Sequence, residues 1–175
     1  MLEQVYKASG VEFEWLDLVG PTRSDLEELA RTRGLPETAV IDCLDPEHLP
    51  KFERFGSTAF LILRGHDEES PETADSIQAF TRKVAVFWGP NFFVTIHRRP
   101  QQFITQLKAR WAARPTVDTD ADLLSVELLA DLTYAVIASY ELPLEKAEAL
   151  IDAFEGHLLG ERDGAGTLPE AYRVK

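Results

Sequence analysis

Ser76-Ile-Gln-Ala-Phe-Thr-Arg-Lys-Val-Ala-Val-Phe-Trp-Gly-Pro-Asn-Phe-Phe-Val-Thr-Ile-His97 is the stretch on which the fold turns. It is dense in β-branched and aromatic residues and is broken once, at Gly89-Pro90-Asn91. The pattern predicts two strands, Ser76–Trp88 and Phe92–His97. So short a turn between them predicts an antiparallel hairpin.

Upstream, Thr58–Leu63 reads as another strand, and Asp67-Glu-Glu-Ser-Pro-Glu72 is a surface loop by composition. Val11-Glu-Phe-Glu-Trp-Leu-Asp-Leu18 alternates apolar and polar residues, the mark of a half-buried strand, and Gly20-Pro21 ends it. Ser24 and Glu27 have the spacing of a capping box. The helix they open carries Leu26, Leu29 and Ala30 on one side, and Gly34 suits its C-terminal cap. Pro36 then suits the first turn of a short helix with Val40, Ile41 and Leu44.

Downstream the period changes. Phe103, Ile104, Leu107 and Trp111 predict a helix over 100–113, broken by Pro115. Asp122 to Leu142 is strongly helical, with Leu124, Leu128, Leu132, Ala135 and Ser139 in one line. Pro143 is expected to interrupt or kink it. A further helix runs to about Leu159 and ends at Gly160. Early and central strands with flanking helices predict an α/β fold, a layered sandwich with a helical C-terminal extension. The expected divisions are 1–117 for the sandwich, 118–163 for an acidic helical hairpin packed on or extending from it, and 164–175. In the last of these, Thr167-Leu-Pro-Glu170 has the form of a helix start, only a few residues before Lys175. So short a helix is not stable alone, which suggests the front part of a longer protein.

The 175 residues are enough for one domain that buries its own core. An apolar share of 45% beside 27% charged residues excludes a disordered chain. No run approaches the ~18 apolar residues a membrane helix needs, and the N-terminus lacks the form of a signal peptide. A net charge of −12 argues against nucleic acid as a partner. That charge is local. Between Ser76 and Val117 there are seven bases and no acid, whereas Asp118–Asp163 holds twelve acids and two bases, a charge of −10.

The chemistry-bearing motifs are few. None of the four histidines forms an H-x-x-x-H or H-E-x-x-H pair, and one cysteine cannot make a Cys-type zinc site or an internal disulfide. No nucleophile elbow, Walker loop or dinucleotide fingerprint occurs. Cys43, near His48, is expected to be a small core residue rather than a nucleophile. Glu141, Glu145, Glu148, Asp152 and Glu155 fall on one helical stripe, opposite Ala147, Leu150, Ile151, Phe154 and Leu158. Such a stripe is either a solvated face or a surface that concentrates hydrated cations such as Mg²⁺. As an enzymatic two-metal site it is poor, because one helix spreads its carboxylates instead of converging them.

Gly34-Leu-Pro-Glu-Thr-Ala-Val-Ile-Asp-Cys-Leu44, then Pro50-Lys51-Phe52-Glu53 and Phe55, then Phe60-Leu-Ile-Leu63, resemble the CorA family of divalent-cation channels and transporters, which includes ZntB. The resemblance continues in order. Trp15-Leu-Asp-Leu18 with Pro21-Thr22 is similar to its first strand and helix, and Phe87–His97 to its central hairpin with the Thr-x-His ending. Leu144-Glu145-Lys146 and Phe154-Glu155 are similar to its acidic hairpin, and Tyr172-Arg-Val-Lys175 to the start of its stalk.

The resemblance implies an α/β/α sandwich with a mixed sheet, the cytoplasmic N-terminal domain of a pentameric funnel. The stalk, two membrane helices and a Gly-Met-Asn motif would lie beyond Lys175. It implies no enzyme, no tightly bound cofactor, and Mg²⁺ or another divalent cation as a regulatory ligand between subunits. Asp42 is the metal-ligating residue it implies. The usual partner acid would lie on the stalk, and Ile41 replaces an often acidic neighbour, so no tightly held ion is expected at Asp42 in this chain. Likewise the chain alone is expected to be a monomer or weak dimer, meeting a membrane only through segments beyond Lys175. Thr95 and His97 are expected to be structural. The alternative is a stand-alone soluble ligand- or metal-binding domain of the same fold, with no pore.

Overall fold

The computed structural model describes residues 2–115 and 120–160, with side chains through Gly156. The hairpin is its centre. β1 (Leu2–Lys7), β2 (Glu14–Val19), β3 (Lys51–Phe55), β4 (Thr58–His66), β5 (Thr81–Gly89) and β6 (Phe92–His97) form one sheet in the order β1-β2-β6-β5-β4-β3. β2 and β6 run parallel and the other pairs antiparallel, so the sheet is mixed. Parallel strands need a crossover, and the intervening helices and strands supply it.

Alternation along the central strands sends side chains to two separate cores. Leu16, Leu18, Phe60, Ile62, Ala85, Phe87, Val94 and Ile96 pack on α1 (Arg23–Arg33) and α2 (Glu37–Leu44) through Leu26, Leu29, Ala39, Val40 and Cys43. Trp15, Val84, Val86 and Phe93 face the other way, onto α4 (Gln102–Ala112) and α5 (Ala121–Ala138). There Phe103, Ile104, Leu107 and Trp111 meet Leu124, Leu128 and Leu132. The Trp15 and Trp111 rings meet edge to face at 6.2 Å. Gly65 lets α4 close on the sheet, since a Cβ there would stand 2.5 Å from the Phe103 ring. These are the three layers of an α/β/α sandwich. α6 (Glu141–Gly160) forms the helical C-terminal extension.

Local details depart from the sequence reading in five places. First, β2 is buried on both faces, not half-buried, because α1 covers one face and α4 the other. Second, the capping box lies two residues earlier than Ser24 and Glu27. Thr22 Oγ1 accepts from the Asp25 backbone N–H at 3.2 Å, and Asp25 Oδ2 accepts from the Thr22 N–H at 2.8 Å. Pro21 stops the strand, so the helix starts at once after Thr22, and Asp25 falls at the position a reciprocal cap requires.

Third, Ser76 does not open a strand. It caps α3 (Ile77–Phe80), a single turn, and β5 begins at Thr81. Fourth, Pro143 neither kinks nor breaks a helix. The chain turns at Ser139-Tyr140, and Pro143 sits in the first turn of α6, where its missing N–H costs nothing. Fifth, the edge strands β1 and β3 are additional to the expected set. Gly34 ends α1 as expected, with φ +65°. The helix start expected at Thr167 lies outside the described residues.

Candidate functional site

α2 presents Asp42 at the rim of the sandwich, because Ala39, Val40 and Cys43 on the same helix turn inward. Its carboxylate is already engaged. Oδ2 accepts from Lys51 Nζ at 2.5 Å, and His48 Nε2 stands 3.4 Å from Oδ1. Lys51 belongs to edge strand β3 and also reaches Glu53 at 3.0 Å. Its bonds to Asp42 and Glu53 raise its pKa above the usual lysine value. Asp42 therefore has a cation of the chain's own beside it. Cys43 is buried, which pushes its thiol up to about 12, so at neutral pH it is an uncharged packing residue and no nucleophile.

Glu141, Glu145, Glu148, Asp152 and Glu155 share one side of α6, and all are exposed. The opposite side is open as well, with Leu150 60% and Ile151 45% accessible. Ala147 and Phe154 are half-buried. The structure brings Asp42 and the stripe into no common cluster: among the described residues no group of three or more His, Cys, Asp or Glu side chains could hold a metal ion.

A denser polar assembly lies inside the sandwich, where sequence reasoning placed only Thr95 and His97. Asp17 is fully buried on β2, opposite Thr95 of β6 in the parallel register. Asp17 Oδ1 accepts from Thr95 Oγ1 at 2.5 Å and lies 3.1 Å from His97 Nε2. Asp17 Oδ2 accepts from Lys108 Nζ of α4 at 2.8 Å, and Lys108 also reaches Glu3 on β1 at 2.5 Å. Trp15 Nε1 donates to Thr95 Oγ1 at 3.1 Å, and His97 Nδ1 lies 2.6 Å from the Arg99 carbonyl. Burial alone would raise the Asp17 carboxyl, but the bonds from His97, Lys108 and Thr95 outweigh it and hold its pKa below the ordinary aspartate value. Every group has a partner, so the cluster ties β1, β2, β6 and α4 together. The structural expectation for Thr95 and His97 gains a physical content here: both hold Asp17.

Asp17 and Lys108 were missed, yet one signal was available. Asp17 shares the period-two face of Trp15, as His97 shares that of Thr95, so four inward positions on two strands carry polar or indole groups.

A three-layer α/β/α domain with a helical extension is the class that the fold defines. The profile of the CorA-like Mg²⁺ transporter protein family matches residues 10–174, and the chain belongs to that family. No curated protein matches it in sequence. Its fold is similar to the complete structure of the CorA magnesium transporter from Methanocaldococcus jannaschii, at 18% identity and a TM-score of 0.62, over 90% of this chain and 47% of that one. The full-length CmaX protein gives 15% and 0.73, over 93% and 47%. The ZntB cytoplasmic domain from Vibrio parahaemolyticus RIMD 2210633 gives 19% and 0.61, over 82% and 55%. The chain thus spans about half the length of these proteins. No helix among its described residues is long and apolar enough to cross a membrane.

Proposed function

We propose that this chain acts as the cytoplasmic regulatory domain of a CorA-like divalent-cation transporter. In that role it senses intracellular cations at contacts between subunits of a homo-oligomer. The family match across residues 10–174, on a fold shared with a ZntB cytoplasmic domain, is the observation that supports this reading. Asp42 is the residue through which cation binding would act, with Mg²⁺ or a similar ion as ligand and no catalytic step.

The Lys51 contact gives this proposal its physics. An ion approaching Asp42 must displace an ammonium group that is already there. One carboxylate cannot offset both that loss and the dehydration of Mg²⁺. Ligands from a neighbouring subunit would make up the difference, and binding would then favour the assembled state by linkage. The acidic stripe of α6 would raise the local concentration of cations without holding any one of them.

The test is divalent-ion uptake by the intact transporter carrying Asp42→Ala, measured across Mg²⁺, Co²⁺, Ni²⁺ and Zn²⁺. Uptake should persist at internal Mg²⁺ levels that shut the unaltered protein. Unchanged inhibition by Mg²⁺ would remove Asp42 from the sensing role.

A further inference from the structure

A cavity of about 320 Å³ opens beside the C-terminal ends of β4 and β6. Arg64, Arg82, Lys83, Arg98 and Arg99 line it, against Glu47 as the one carboxylate among the described lining residues. In a chain of net charge −12 this is a concentrated reversal of sign. Arg98 and Arg99 place it just past the carboxyl end of β6, on the edge at which open α/β sheets hold ligands.

The cations of the wall fall into two groups. Arg64 and Lys83 are each 7% exposed and have no carboxylate partner among the described residues. Arg64 donates to Thr81 Oγ1 at 2.7 Å and to the carbonyls of Pro46, His48 and Thr81 at 3.1, 3.0 and 3.3 Å. Lys83 Nζ donates to the carbonyls of Asp42 and Cys43 at 2.5 and 3.0 Å, and to that of Asp45. Carbonyls satisfy the hydrogen bonds, and carboxylates act on these two charges only at longer range, Glu47 and Asp45 on Arg64 and Asp45 and Asp42 on Lys83. Arg98 and Arg99 form the second group. They are exposed at the mouth and have no ion-pair partner among the described residues. Arg82 lies between, paired with Asp67 at 2.6 Å.

Gln101 adds an independent observation. It lines the same cavity and is 9% exposed. Its Nε2 donates to the Lys83 carbonyl at 3.5 Å, while its Oε1 is buried with no hydrogen-bond partner. A buried acceptor without a donor is left with its desolvation uncompensated. A ligand that supplies both negative charge and an O–H would answer the arginines and Gln101 together. Hydrogen phosphate, or a phosphate monoester with a hydroxyl, has both, whereas chloride and sulfate lack the donor. The volume is at the small end of the roughly 300–1,000 Å³ of ligand pockets, enough for a phosphate group with a small substituent.

We propose that this cavity is a phosphate-binding site, with Arg98 and Arg99 contacting the anion, Arg64 and Lys83 supplying fixed charge behind it, and Gln101 accepting from its hydroxyl. The site does not depend on the cation-sensing role of Asp42. Calorimetric titration of the chain with inorganic phosphate at low ionic strength should give saturable binding. Sulfate should bind measurably more weakly. Arg98→Ala with Arg99→Ala should weaken phosphate by about tenfold or more, as expected for lost charge-assisted hydrogen bonds. Arg110→Ala, on an exposed part of α4 outside the cavity, should change nothing. Gln101→Met should erase the preference for phosphate over sulfate.

Co-sedimentation with phosphatidylcholine vesicles, with and without phosphatidic acid, separates a lipid headgroup from free phosphate. Binding dependent on phosphatidic acid and on Arg98 and Arg99 would assign the site to a lipid. Binding of inorganic phosphate alone would assign it to a soluble ligand. Saturable binding of neither, or binding indifferent to the paired arginine substitutions, overturns the proposal. Equal affinity for sulfate and phosphate overturns the choice of phosphate.

Discussion

Asp17 in the sandwich and Glu148 on α6 are carboxylates of one chain under opposite conditions. Asp17 has no solvent and is held by Thr95, His97 and Lys108. Glu148 faces water on a helix whose apolar side is also open. In the first region, charge is fixed by geometry and stabilises one arrangement of four elements. In the second it is free to respond to ions or to another surface. The same residue chemistry therefore serves architecture in one place and availability in the other, and burial decides which.

The largest test of this contrast is Asp17→Ala. It would leave Lys108 and His97 facing an empty acceptor position inside the protein. Breaking a buried pair from one side costs about 3–5 kcal/mol, which urea unfolding would read directly. The pH dependence has a definite sign. The folded pKa of Asp17 is depressed, so its stabilising contribution is present above the unfolded aspartate value of about 3.9 and is lost as pH falls through the folded value. The folded pKa of Lys108 is raised. Burial opposes this, but the bonds to Asp17 and Glu3 prevail. Its contribution is present below about 10.4 and is lost as pH rises through the folded value. Unfolding measured from acid to alkali should show both losses, and Asp17→Ala should flatten the acid limb. An acid limb unchanged by that substitution would show that Asp17 is not the linked group.

Next in size is Leu128→Ala on α5. Leu128 is fully buried against the sheet layer, so truncation should cost about 2–5 kcal/mol in the same assay. Leu150→Ala on α6, where the side chain is 60% exposed, should stay within about 0.5 kcal/mol. The pair asks whether α5 and α6 differ energetically as their packing says. Equal losses would mean that α6 is covered in solution.

How much of this was legible in advance depends on the same division. The hairpin, the Leu124–Leu128–Leu132 line and the Gly34 cap were readable because burial on a regular face leaves a period in the sequence. The strand β1 was not, because a bulge between Gln4 and Tyr6 breaks the alternation, and Glu3, Gln4 and Lys7 make its exposed edge polar. β3 is masked in the same way by Lys51, Glu53 and Arg54. Asp42 could be singled out by resemblance, but its Lys51 partner comes from that unread edge strand. Asp17 was hidden by its type: it lies on the Phe13–Trp15 face that the alternation already marks as inward, but an aspartate by itself reads as solvent-facing. The second covered face of β2 buries Leu16 and Leu18.

A smaller effect is expected at Asp42. Lys51→Met removes its ammonium partner, and since the pair is partly solvated the loss should be about 1 kcal/mol or less. The more telling readout is melting temperature with and without Mg²⁺. The unaltered chain should show little dependence, because Lys51 already stands against the carboxylate, and Lys51→Met should gain some. If both respond equally, the ion binds elsewhere and the competition argument fails.

The smallest effect belongs to the acidic stripe. Glu145→Gln with Glu148→Gln removes repulsion between like charges on neighbouring turns, worth a few tenths of a kcal/mol per pair, so stability should rise slightly. The change should fade in high salt, because exposed charges are screened over roughly 10 Å at 0.1 M. Asp17→Ala should keep most of its cost under the same salt, since Asp17, Thr95 and His97 are buried and Lys108 is largely covered. Salt therefore separates the two regions more sharply than magnitude does. A stripe whose neutralisation destabilised the chain at every ionic strength would have to be holding structure, and the contrast between fixed and available charge would be lost.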